Sequence, residues 1–352
     1  MKKLMTFANG INNALHLAMR KSNSVICFGL GIDDPKRIFG TTAGLVEEFG
    51  KERVFDMPTA ENGMTGVGIG ASLNGIIPIM VHQRLDFFLL AMDQVVNSAA
   101  KWYYMFGQKQ SIPITIRLII GHGWGQGPTH CQNLQSWFAH IPGLKVVMPA
   151  TTKDAKGLLL SSIFDDNPVI FLEHRWLHNI SEEIEEGYYE IPIGKAKVVT
   201  EGKDITIVSY SYMTVEAIHA ENVLKKYGIS CEVIDLRTIR PLDWDTVFGS
   251  VEKTGKLLAL DSASPFSSIS SEIVARVSLE KFSSLKSHPL RIAQPDFASP
   301  ASFGLTKEYY NGAKEIVIEV CKYFGIQPEK DDLEKLVKTP HDVPGDWFKG
   351  PF

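Results

Sequence analysis

Cysteine is scarce in this 352-residue chain: there are four, Cys27, Cys131, Cys231 and Cys321, and no two form a CxxC pair. Their spacing argues against a disulfide framework and against a zinc site, and a reducing, cytoplasmic setting is expected. A long apolar run and a basic excess are missing as well. With 44% hydrophobic residues, 22% charged residues and a formal net charge of −4, the composition points away from a membrane span, from disorder and from nucleic-acid binding. The start Lys2-Lys3-Leu4-Met5 imitates a secretory signal but fails on polarity, because Asn9, Asn12, Asn13 and His16 interrupt it. Phe7, Ile11, Leu15 and Ala18 instead recur at helical spacing. A protein acting on small molecules is the starting expectation.

What is present is alternation. The length exceeds one ordinary core, so two domains are expected. Strands read over 24–28, 54–55, 76–81, 112–119, 145–148 and 168–172, with helices over 42–49, 89–106, 133–139 and 152–164 among them. That rhythm predicts a parallel sheet covered on both faces. The stretch 182–196 is acidic and aperiodic and reads as a linker; a second, smaller α/β unit follows, with strands over 204–209, 231–234, 256–260 and 289–292 and helices over 214–226, 271–281 and 312–324. The expected division is 1–185, a linker over 186–200, a second domain over 201–327 and a polar tail over 328–352. Trp347, Phe348 and Phe352 suggest that the tail packs on something, such as a partner subunit.

Three places combine a strand end with reactive or flat side chains. In Asp56-Met57-Pro58-Thr59-Ala60-Glu61-Asn62-Gly63, a lone carboxylate opens a helix whose small residues, Gly63, Gly66, Gly68, Gly70 and Ala71, allow close approach of a neighbour. Taken alone, Glu61 is equally an ordinary helix-start acid serving free N–H groups. His82-Gln83-Arg84-Leu85-Asp86-Phe87-Phe88 ends another strand, and a glycine-rich loop over 121–130 carries His122 and His130. The run Gly29-Leu30-Gly31 begins like a dinucleotide fingerprint but lacks its third glycine and its later acid, so it reads as a turn.

These segments, taken in order with Asp93-Gln94-Val95-x-Asn97-Ser98-Ala99-Ala100-Lys101, His130-x-Gln132, Pro142-Gly143-Leu144-Lys145-Val146-Val147 and Glu232-Val233-Ile234-Asp235-Leu236-Arg237-Thr238, resemble the β subunits of thiamine diphosphate-dependent 2-oxo acid dehydrogenases of the pyruvate and branched-chain type. The resemblance, which runs from Phe7 to about Val317, implies two three-layer α/β domains with parallel or mixed sheets: a transketolase pyrimidine-binding domain and a transketolase C-terminal domain. It further implies that Glu61 hydrogen-bonds N1′ of the cofactor's aminopyrimidine and promotes deprotonation of the thiazolium, a task served by burial that raises a carboxyl pKa. Phe87 is implied to stack on the aminopyrimidine, with Gln83 in the same pocket and Phe88 the rival by one position. His130 is implied to meet the substrate-derived intermediate, with His122 its rival. Ile114, Ser162, Asp165 and Asn167 match a structural potassium site, where a plain helix-to-strand turn is the competing reading.

The family anchors the cofactor's Mg²⁺ through a Gly-Asp-Gly motif, and none occurs in this sequence. A separate α subunit is therefore expected to hold the diphosphate, in an α2β2 assembly with β–β contacts and a lipoyl acyltransferase core as a further partner. Leu90, Val95, Val96, Trp102 and Met105 are candidates for the α/β boundary. Some positions depart from the family: Leu30-Gly31 stands where an acidic pair is usual, and Gln83-Arg84-Leu85-Asp86, Trp124 and Trp176-Leu177-His178 are unexpected. They keep two alternatives open, a split transketolase-like carboligase acting on a sugar or other carbonyl and a non-catalytic association subunit. Intact Glu61, Phe87 and His130 weigh against the latter.

Overall fold

The structure, a computed structural model, describes residues 2–338, 340–345 and 348. Its strands are β1 (Lys2–Thr6), β2 (Val25–Gly29), β3 (Val54–Asp56), β4 (Ile77–His82), β5 (Thr115–Ile120), β6 (Lys145–Val147), β7 (Val169–His174), β8 (Ser181–Glu185), β9 (Lys197–Thr200), β10 (Ile205–Ser209), β11 (Cys231–Asp235), β12 (Thr238–Arg240), β13 (Leu257–Leu260) and β14 (Leu290–Ile292). Seven form one sheet in the order β12-β6-β7-β5-β4-β2-β3, parallel except for β12. Five form a second sheet in the order β14-β13-β10-β11-β9, parallel except for β9.

Central strands of the first sheet are buried along their whole length, as a parallel sheet covered on both faces requires. All six residues of β5 are buried, including one cation, Arg117. Arg117 is matched on β7 by Glu173, Nη2 to Oε1 at 2.5 Å with both side chains fully buried, and His178 Nε2 lies 3.6 Å from the other carboxylate oxygen. The helices Phe7–Lys21 and Thr152–Ile163 cover one face. They cross so closely that a Cβ at Gly10 would stand 2.9 Å from Thr152 Cγ2. The opposite face shares an apolar core with the second unit, in which Ile116, Leu118 and Phe138 join Val208, Ile234 and Val247.

Four local expectations change. The acidic stretch after 180 is not all linker: β8 pairs antiparallel with β1, Lys2 opposite Glu185, so Lys2-Lys3 faces Glu185-Glu186 and the charges that obscured periodicity are matched across a ribbon. The helix expected over 89–106 forms and starts earlier, at Leu85, but its winding changes along the way: it tightens to 3₁₀ over Leu89–Ala91 and widens to π over Gln94–Ala99 before an α-helical end at Ala100–Met105. At the start of the π segment the Asp93 carboxylate accepts from the Gln94 and Asn97 side chains. β12, which the sequence pattern does not mark and which comes from the second half of the chain, joins the first sheet beside β6, and the pattern does not mark the helix Trp244–Thr254 either. The tail packs on its own chain: Val343 and Phe348 are buried in the first unit's core, while Trp347 and Phe352 lie outside the described residues.

Candidate active site

In a parallel sheet the chain leaves every strand at the same edge, and ligands gather there. Five exits matter: Leu30-Gly31 after β2, Glu61 shortly after β3, Gln83 to Phe88 after β4, the loop 121–130 after β5, and Arg175 to His178 after β7. Ile114 precedes β5 and Ser162, Asp165 and Asn167 precede β7, so these four sit at the opposite edge. Six residues of strand, about 20 Å, separate the two groups.

Glu61 opens the helix Glu61–Ser72 and is 4% exposed. The preceding Asp56 does a different job, since its Oδ1 accepts the N–H groups of Ile32 at 2.6 Å and Asp33 at 3.4 Å and so ties the loop after β2 to β3. Of the glycines on this helix, Gly68 alone is pressed by the chain's own core, a Cβ there lying 3.0 Å from Ile114 Cδ1. A Cβ at Gly63 or Gly70 would meet nothing within 4 Å. The slender helix face therefore opens outward. Gly31 is favoured by its φ of +84°, and the Gln83 amide occupies the space a Cβ would take, its Nε2 2.0 Å from that position.

Phe87 and Phe88 separate cleanly. Phe88 is fully buried against His82 and Phe138, whereas Phe87 is 43% exposed. The Phe87 ring meets the His130 ring edge-on, centroids 5.4 Å apart. The loop bearing His130 is fastened to the same segment twice more. Asp86 Oδ1 accepts Gln132 Nε2 at 2.9 Å and Gln132 N at 3.3 Å, and Arg84 donates to the His130 carbonyl at 3.4 Å. His130 Nδ1 is 3.1 Å from Thr129 Oγ1. The sequence flagged Gln83-Arg84-Leu85-Asp86 only as unusual; its role as a clasp for His130 needed the fold.

His122 is elsewhere. It is buried, stacked on Tyr310 at 4.1 Å and packed on Trp176 at 4.0 Å, and burial, with His174 and Lys338 nearby, pushes its pKa well below the ordinary imidazole value. With Cys131, Gln132, Ser262, Gln294 and Tyr310 it lines a cavity of about 190 Å³ between the two units. Burial likewise lowers His82 to about 4 and His174 to about 3, so both are neutral packing groups at pH 7.

Comparison with known proteins gives the family. Residues 3–179 fit the family model "Transketolase, pyrimidine binding domain" and residues 194–316 fit "Transketolase, C-terminal domain". The chain is 40% identical over 332 residues to the β subunit of acetoin:2,6-dichlorophenolindophenol oxidoreductase from Cupriavidus necator, covering 92% of this chain and 98% of that one. It is 40% identical over 299 residues to the pyruvate dehydrogenase E1 component subunit beta of Bacillus subtilis, covering 85% and 92%. It belongs to the thiamine diphosphate-dependent 2-oxo acid dehydrogenase β subunits. Its fold is also that of a solved structure described as a split-gene transketolase, inactive beta4 tetramer, with TM-score 0.74 at 21% identity over 92% of this chain and 99% of the other.

As a β subunit, the chain has an α partner, and the unsatisfied surface is consistent with one. Leu90 is exposed on the helical segment that carries Phe87 near its start, Tyr104, Met105 and Phe106 are exposed at its far end, and Trp102 and Val96 are half-buried. Val95 is withdrawn from the boundary set, because it is fully buried in this chain's own core. Among the described residues no helix is long and apolar enough to cross a membrane, and no three of His, Cys, Asp and Glu converge to hold a metal. All four cysteines are free and buried.

Proposed function

We propose that this β subunit supplies the aminopyrimidine half of a thiamine diphosphate site and, with a separate α subunit, decarboxylates a small 2-oxo acid or cleaves a hydroxyketone of similar size. The observation that carries the reading is Phe87: an aromatic face left open by its own chain, with His130 held against its edge and Phe88 taking the core position instead. The residues present fit the cofactor, since a flat apolar face, a buried carboxylate at Glu61 and an unobstructed helix face at Gly63 suit a planar, protonatable ring. When bound, thiamine diphosphate supplies the carbanion chemistry.

This chain's own part is threefold. Glu61 would hold a proton toward a nitrogen of the aminopyrimidine, Phe87 and Gln83 would orient that ring, and His130 would donate to an oxygen of the substrate. The small substrate class is drawn from the names of the relatives, pyruvate and acetoin. The Mg²⁺ belongs to the α subunit in this reading, the assembly is α2β2 with β–β contact, and a lipoyl acyltransferase core accepts the product. The domain limits are 1–185 and 201–327, with a linker between and a tail after. The proposed potassium site is the turn carrying Ser162, Asp165 and Asn167, with Ile114 beside it; the Ser162 carbonyl already accepts Thr115 Oγ1 and Asp165 N, the Ile114 carbonyl accepts Val169 N and keeps a second lone pair, and Lys145 pairs with Asp165.

The test is co-expression with the α subunit and assay of a panel of 2-oxo acids and hydroxyketones, with an artificial electron acceptor and with a lipoyl acceptor. Decarboxylation or cleavage by the pair, none by the β chain alone, and loss in Glu61→Gln are expected. Full turnover by Glu61→Gln would remove the assignment.

A further inference from the structure

Residues 317–352 lie beyond both family models, yet part of this segment runs back across the edge of the first sheet that carries His130. Lys338 is tied to Glu216, Nζ to Oε1 at 2.5 Å. His341 Nε2 lies 3.0 Å from Thr306 Oγ1 and 2.9 Å from the Phe303 carbonyl, with its ring on Phe303. Asp342 then turns onto the glycine loop. Its Oδ2 accepts the Trp124 N–H at 2.9 Å, and its carbonyl sits where a Cβ on Gly123 would be only 1.8 Å away. Phe348 stacks on Trp124 at 4.7 Å, and the Arg175 guanidinium lies between the rings of Phe39 and Phe348 at 4.4 and 5.0 Å. Trp124 and Trp176, two of the unexpected residues in the sequence, are both packed against this segment, since Lys338 lies over the Trp176 ring.

The loop needs such a hold. Gly123, Trp124, Gly125 and Gly127 all have positive φ, a backbone with many alternatives in the free chain and a large entropy to lose on ordering. Its far end is fixed by the Asp86–Gln132 hydrogen bonds, and Tyr310 Oη accepts the Gly123 N–H at 3.2 Å. Between those anchors, Asp342 is the charged acceptor on the loop backbone, and hydrogen bonds to charged groups are the stronger kind. We propose that residues 341–345 and Phe348 form an intramolecular strap that fixes the working conformation of the His130 loop, with Asp342 its positioning residue. The link to catalysis rests on the reading of His130 given above; the effect on the loop does not.

The experiment uses the full chain co-expressed with its α subunit and three variants: a stop after Pro340, which leaves Lys338 on Glu216, Asp342→Ala, and Asp342→Asn, which keeps an acceptor oxygen. Amide hydrogen exchange is followed over 121–130 and the His130 ring resonance by ¹³C-histidine NMR, assigned through its loss in His130→Ala. Exchange in the loop is expected to rise about tenfold or more on truncation, and about tenfold at Trp124 in Asp342→Ala, the factor for roughly one hydrogen bond to a charged group. Asp342→Asn returns both exchange and the His130 resonance toward the parent. Unchanged loop exchange in a folded truncated chain, or failure of Asn to restore what Ala loses, overturns the strap. If truncation unfolds the chain, Asp342→Ala and Asp342→Asn decide alone. A loosened loop and shifted His130 resonance in a complex whose parent turns over no 2-oxo acid or hydroxyketone would support the strap while refuting the proposed function.

Discussion

The two flanks of the candidate site are built in opposite ways. On one, Phe87 and the glycines at 63 and 70 of the helix opened by the buried Glu61 are left uncovered by this chain, and Leu90, Tyr104 and Met105 are exposed along the same helical segment as Phe87. On the other, the loop ending at His130 is fastened by Asp86, Tyr310 and Asp342, all from its own chain. The contrast teaches how one chain can treat two sides of a cleft differently: one flank is left uncovered, as the proposed shared site requires, and the other is completed internally.

The comparison can be broken in graded ways. The largest effect is expected at the open flank: Glu61→Gln should lower turnover of the assembled enzyme by about 10²–10⁴-fold, the usual share of a positioned acid–base group, while its melting temperature stays near the parent's. Next comes the buried frame behind the closed flank, where Glu173→Ala strands Arg117 without its partner and should cost about 3–5 kcal/mol in denaturant unfolding. The two neighbouring phenylalanines give the sharpest contrast. Phe88→Ala should cost about 3–5 kcal/mol of stability, whereas Phe87→Ala should cost no more than about 0.5 kcal/mol and should weaken thiamine diphosphate binding to the α–β pair; equal losses of stability would erase the distinction between them.

A smaller effect concerns pH. Burial, with Asp154 nearby, raises Asp235 to about 7, against the opposing pull of the Arg237 backbone and side chain. A carboxyl raised in the folded state contributes stability at low pH that is lost as pH rises from near 4 through about 7. Asp235→Asn should therefore gain stability at pH 8 relative to pH 5 by on the order of 2 kcal/mol, read from paired urea titrations. Smallest of all, Gly63→Ala should change stability by less than about 1 kcal/mol, since a helix favours alanine and no atom of this chain obstructs it. Its effect should appear only in cofactor affinity of the α–β complex.

Much of the architecture was legible because parallel strands are nearly continuous apolar runs and their helices are periodic. What escaped was whatever depends on a distant partner. The Lys2–Thr6 ribbon is polar and takes its order from Ser181–Glu185, and the three residues of β12 are too short to carry a pattern and find their sheet only across the domain junction. Asp86 drew notice only as a departure, because nothing local says that a carboxylate will reach Gln132, 46 residues on.

By itself the sequence determined the alternation of strands and helices, the families of its two domains, the identity of Glu61, Phe87 and His130 as the groups to watch, and the lack of a diphosphate motif. These are properties of residue type and spacing along the chain. Tertiary structure alone decided which of two adjacent phenylalanines faces outward, that His122 is buried beside a cavity while His130 meets Phe87, that the four residues matched to potassium lie at the far edge of the sheet, and that the tail returns to contact the glycine loop. Each of those depends on which surfaces are buried together, and burial is set by packing between segments remote in sequence.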